Sequence, residues 1–72
     1  MPGLKKISGS ACVKILCNKF GFSVTRQKGS HIVLKKGIIG TVVPDHKEIK
    51  IGTLKRILKL AEVKEEDFLR FQ

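Results

Sequence analysis

The stretch Phe22-Ser23-Val24-Thr25-Arg26-Gln27-Lys28-Gly29-Ser30-His31-Ile32-Val33-Leu34-Lys35-Lys36 decides the fold of this chain. Residues 22–28 alternate and are rich in strand formers, Gly29-Ser30 turns the chain, and residues 31–36 read as a second strand. A third short strand follows at about 39–43, punctuated by Gly37 and Gly40 and ended by Pro44. Three short strands in series predict an antiparallel meander. Phe22, Val24, Ile32 and Leu34 are expected on its inward face, and His31, Val33 and Lys35 on the open one, because side chains alternate along a strand. Plain alternation would set Lys28 with Val24, away from His31; the turn geometry decides that point.

Helical spacing brackets the meander. Cys12, Val13, Leu16 and Phe20 repeat on one side of residues 9–20, widened by Ile15 and Cys17, with Lys14, Asn18 and Lys19 outward. Ser8 is placed to cap the first turn and Gly21 to stop the last. Asp45 to Ile49 reads as a loop, and residues 50–53 lead into a second helix ending near Leu60. Leu54, Ile57, Leu58 and Ala61 form its apolar stripe, and Lys55, Arg56 and Lys59 its basic surface. A short last helix over about 64–71 is expected to seat Phe68. The predicted fold is α+β, ordered α-β-β-β-α: a three-stranded antiparallel sheet with helices on one face, plus a short C-terminal helix. Residues 1–72 are read as a single domain, since 72 residues leave room for one modest core.

Charge bounds the partners. The chain holds 15 Lys and Arg against 6 Asp and Glu, a formal net charge of +9. Four of those acids, Glu62, Glu65, Glu66 and Asp67, lie near the C-terminus, so residues 1–61 hold 13 basic and 2 acidic residues, or 13 − 2 = +11. A field of that sign draws nucleic acid. Cys12 and Cys17 lie on different sides of a helix, too far apart to bridge, and are expected as core or half-buried thiols in a reducing compartment. The near absence of acids before residue 61 argues against hard divalent metals and against a serine or threonine nucleophile with its base, and no metal or cofactor is expected. No stretch reads as a signal peptide or a membrane span, so a soluble cytoplasmic protein is expected.

Four segments, in register over nearly the whole chain, resemble the HicA-type toxins. They are Leu4-Lys5-Lys6-Ile7-Ser8-Gly9; Gly21-Phe22 with Arg26-Gln27-Lys28-Gly29-Ser30-His31; Val43-Pro44-Asp45-His46; and Lys50-Ile51-Gly52-Thr53-Leu54-Lys55-Arg56-Ile57-Leu58. The resemblance implies a double-stranded-RNA-binding-domain-like fold and metal-independent endoribonuclease activity on messenger RNA. It further implies His31 as the catalytic residue and neutralisation by a HicB-type antitoxin. The chain departs from such toxins in a compact turn at Lys36-Gly37-Ile38-Ile39-Gly40, and in Val63-Lys64 where a hydroxyl residue often caps the last helix.

The residues themselves agree with that chemistry. A histidine, titrating ordinarily near pH 6.5, can assist either proton transfer when a 2′-hydroxyl attacks the neighbouring phosphorus. Lys28, Arg26 and Lys35 crowd the hairpin, where cations would hold phosphate and stabilise its developing charge. Ser30 adjoins the histidine. Lys55 and Arg56 are read as contacts to the RNA backbone. His46 is read as a loop residue touching phosphate, or as a second proton-transfer group if the strand ends bring it near His31. The alternative function is a double-stranded-RNA-binding-like module without catalysis. A DNA-binding or ribosomal protein, and a structural protein pairing through Ile38, Ile39 and the 68–71 segment, are weaker readings.

Overall fold

The computed structural model describes residues 3–72; the first two residues of the expected 1–72 domain lie outside it. The elements run α1 (Gly9–Phe20), β1 (Ser23–Lys28), β2 (His31–Lys36), β3 (Ile39–Pro44), α2 (Ile51–Ala61) and α3 (Glu65–Leu69). This is the expected α-β-β-β-α order, with an antiparallel sheet arranged β1-β2-β3.

Helix α1 forms where its caps and stripe require. The Ala11 N–H donates to the Ser8 hydroxyl at 3.1 Å, and Gly21 closes the helix in the left-handed region at φ 78°. Cys12 and Leu16 are buried, while Lys14, Asn18 and Lys19 are exposed. Helix α2 buries Leu54, Ile57, Leu58 and Ala61 and packs chiefly on β3. The Thr41 hydroxyl donates to the Ile57 carbonyl at 2.9 Å, so the one buried polar side chain among the described residues is satisfied and ties β3 to α2. Phe68 of α3 completes the core, stacked on Phe20 with ring centroids 6.3 Å apart.

Strand β2 alternates as expected, with Ile32 and Leu34 buried and His31 and Lys35 exposed; β3 alternates too, with Thr41 and Val43 buried and Val42 exposed. Strand β1 differs. Phe22, just before it, is buried, but Val24 is 49% exposed although it pairs with inward Leu34. Val24 therefore does not belong to the core. It lies on the outermost strand, which meets α1 only sparingly, while α2 packs on β3 at the far edge of the sheet.

The loop after β3 carries more structure than its composition suggests. Ile49 is buried and its N–H donates to the Ile7 carbonyl at 2.7 Å, drawing the segment before α1 alongside it. At the start of α1, the Gly9 N–H donates to the His46 carbonyl at 2.8 Å. The two segments approach so closely that a Cβ on Gly9 would collide with the Pro44 carbonyl oxygen. Only glycine fits there.

Gly9→Ala should therefore lower stability by about 1–3 kcal/mol, the usual cost of overpacking, and urea denaturation will measure it. Burial also pushes the Cys12 thiol up from 9.0 to about 12. Its folded form keeps a proton that the unfolded chain gives up, so its contribution is full below pH 9 and is lost as pH rises towards 12. Wild-type stability should fall across that interval more steeply than that of Cys12→Ala, a difference that unfolding at stepped alkaline pH will read.

Candidate nuclease cleft

Strand β2 begins at His31 because a two-residue turn precedes it. Gly29 adopts φ 59°, the positive value such a hairpin needs at its first turn position. His31 is paired on one side with Lys28 of β1 and on the other with Pro44 of β3. It thus sits at one end of the sheet, on the exposed face.

A bulge reverses the expected side of Lys28. Val24 pairs with Leu34, but the next pair is Arg26 with Val33, so Thr25 is an extra residue on β1. Its hydroxyl donates to the Val33 carbonyl over a long 3.4 Å. Beyond the bulge every β1 side chain changes face. Lys28 becomes the cross-strand neighbour of His31, and Arg26 that of Val33, so both basic residues share the histidine's face. Lys35 lies on that face four residues further along β2, opposite Gly40.

His46 reaches the same end of the sheet. It follows Pro44, the partner of His31, by two residues. Between them the Asp45 N–H donates to the Ser30 carbonyl at 2.6 Å, which joins the turn before His31 to the turn before His46. Both histidines line one cleft of about 580 Å³. It runs along the free edge of β3 and is walled by Val42 and Pro44 on the strand side and by Thr53, Arg56, Ile57 and Leu60 of α2 on the other. Glu48, Ile49 and Lys50 close it from the loop. Glu48 also faces Lys6 at 3.9 Å, an exposed pair of little energetic weight.

The structure thus brings His31, His46 and Arg56 into a single cleft, with Lys28 beside His31. Ser30 is exposed in the hairpin turn and engages through its carbonyl. Lys55 does not reach the cleft; it lines a second groove of about 530 Å³ with Lys59 and Lys64. Sequence reading did not single out Thr53 and Leu60 as wall residues. The signal was available: Thr53, Arg56 and Leu60 fall at i, i+3 and i+7, a stripe flanking the apolar one, and Leu60 is a large apolar residue outside the core set. A Cβ added to Gly52, at the start of α2, would meet nothing within 4 Å, so a side chain would fit there. Chemically, the cleft offers two proton-transfer groups, an anion-binding guanidinium and an apolar wall. Among the described residues no helix is long and apolar enough to cross a membrane.

The sequence model of the HicA toxin family of bacterial toxin–antitoxin systems matches residues 9–63. No curated protein and no solved structure matches the chain.

Because both histidines are exposed in the folded protein, diethyl pyrocarbonate should modify His31 and His46 without prior unfolding. Mass spectrometry of the native protein checks this, and modification confined to one ring would contradict a cleft open to both.

Proposed function

The chain belongs to the HicA toxin family of bacterial toxin–antitoxin systems, and from that premise we propose that it is a metal-independent endoribonuclease of messenger RNA. His31 is its catalytic residue. It transfers a proton as the 2′-hydroxyl attacks the adjacent phosphorus and the 5′-oxygen departs, leaving a 2′,3′-cyclic phosphate and a 5′-hydroxyl. The protein acts in the cytoplasm as one domain and is held in check by a HicB-type antitoxin.

One observation carries this reading: the exposed His31 ring lies beside Lys28 and shares a cleft with Arg56. Phosphate held by Arg56 would meet the imidazole, and Arg56 is suited to it because a guanidinium binds phosphate oxygens in pairs. Cations fixed beside the reacting phosphorus also stabilise the charge that grows on its oxygens. Arg26 and Lys35 extend the positive face along the sheet, and Lys55 adds charge on α2, where contacts hold the backbone without reading bases. The same field suits an acidic inhibitor, since complementary charge speeds and orients association. Apolar Val42, Pro44 and Leu60 present a surface against which a ribose or a base can lie.

His31→Ala should lower cleavage of a long unstructured RNA in chelator by at least about 100-fold, the scale of a lost proton-transfer group, while RNA binding and thermal stability stay at the wild-type level. Gel-resolved cleavage beside filter binding measures both. A variant that cuts at the wild-type rate would refute the assignment, and wild-type protein that binds without cutting would leave an RNA-binding module.

A further inference from the structure

We propose that His46 is a second catalytic residue, so that His31 and His46 divide the two proton transfers of RNA cleavage between them. The proposal rests on the nuclease reading above and deepens it.

Cleavage through the 2′-hydroxyl moves two protons at two places. The 2′-oxygen gives one up as its bond to phosphorus forms, and the 5′-oxygen takes one as its bond to phosphorus breaks. The entering and leaving oxygens lie on opposite sides of the phosphorus. A single imidazole beside one of them is poorly placed for the other. Two histidines from different segments line the cleft, His31 from β2 and His46 from the loop after β3. Arg56 shares their cleft from the α2 side. A phosphate held there would have a proton acceptor and a proton donor within one enclosure. At the start of the reaction one ring is neutral and the other protonated; at the end the two have exchanged states, and the protons balance.

His46 carries no evident structural duty that would otherwise explain it. The turn from Pro44 to His46 is closed by main-chain bonds, Asp45 N–H to the Ser30 carbonyl and Gly9 N–H to the His46 carbonyl. Among the described residues neither imidazole takes part in a protein hydrogen bond. The ring is exposed, while the backbone beneath it is anchored on two sides and tight against Gly9. An anchored backbone under an uncommitted ring is what a proton-transfer group needs, because a small displacement of such a group lowers the rate steeply. The charged and titratable groups lining the cleft with it are His31 from β2, Arg56 from α2, and Glu48 and Lys50 from its own loop, with Lys6 beside Glu48.

The test compares wild-type protein, His31→Ala and His46→Gln on one RNA oligonucleotide whose cleaved linkage carries either the natural 5′-oxygen or a 5′-sulfur. Sulfur departs without needing a proton. His46→Gln should lower kcat on the oxygen substrate by about 10²–10⁴-fold with little change in KM, and remove one limb of the bell-shaped pH–rate profile. Of the two variants, only the one lacking the proton donor should regain its rate on the sulfur substrate. Because the ring is exposed, the thermal melt of His46→Gln should match the wild type. A variant that raises KM alone, or keeps both limbs of the profile, would overturn the proposal and leave His46 as a phosphate contact. Equal responses of both variants to sulfur would also overturn it. Wild-type protein that cuts neither substrate would overturn the nuclease reading and this proposal together.

Discussion

The site depends on how the Pro44–His46 turn is held. Two main-chain hydrogen bonds pin it, one from the first residue of α1 and one to the turn of the β1–β2 hairpin. Pro44 gives up no donor that the free edge of β3 would need, and the missing side chain of Gly9 allows the close approach. Three elements distant in sequence therefore converge on a few backbone atoms. That convergence sets both histidines at one end of the sheet, and it explains why a domain of this size can support a defined cleft at all.

The second constraint is the bulge at Thr25. An unbroken strand would send Lys28 and Arg26 to the face of Leu34 and Ile32. The extra residue moves them to the face of His31, where positive charge is useful to a phosphate. Changing face costs nothing in burial, because β1 is exposed along its whole length. Strand β2 has no such freedom. Ile32 and Leu34 are committed to the core, and that commitment turns His31 outward.

Core and cleft share the same helix. Ile57 and Leu58 anchor α2 under the sheet, Thr41 ties its carbonyl to β3, and the flanking stripe of Thr53, Arg56 and Leu60 becomes the cleft wall. A change to the buried stripe would therefore move Arg56 relative to the histidines. Stability and chemistry are coupled here by geometry, since residues one position apart on a helix differ by about 100° around its axis.

Local information was enough for much of this protein. Helix α1 with its Ser8 and Gly21 caps, the three strands, the α2 stripe and Phe68 all follow from periodicity and capping, which act between neighbours in the chain. The resemblance centred on His31 also rests on short contiguous segments. Tertiary structure decided the rest: the burial of Ile49 against Ile7, the exposure of Val24, the face of Lys28 and the entry of Arg56, but not Lys55, into the histidine cleft. Each of these turns on a contact or a register between segments far apart in sequence. Periodicity along one segment carries no record of the strand, turn or helix that will meet it.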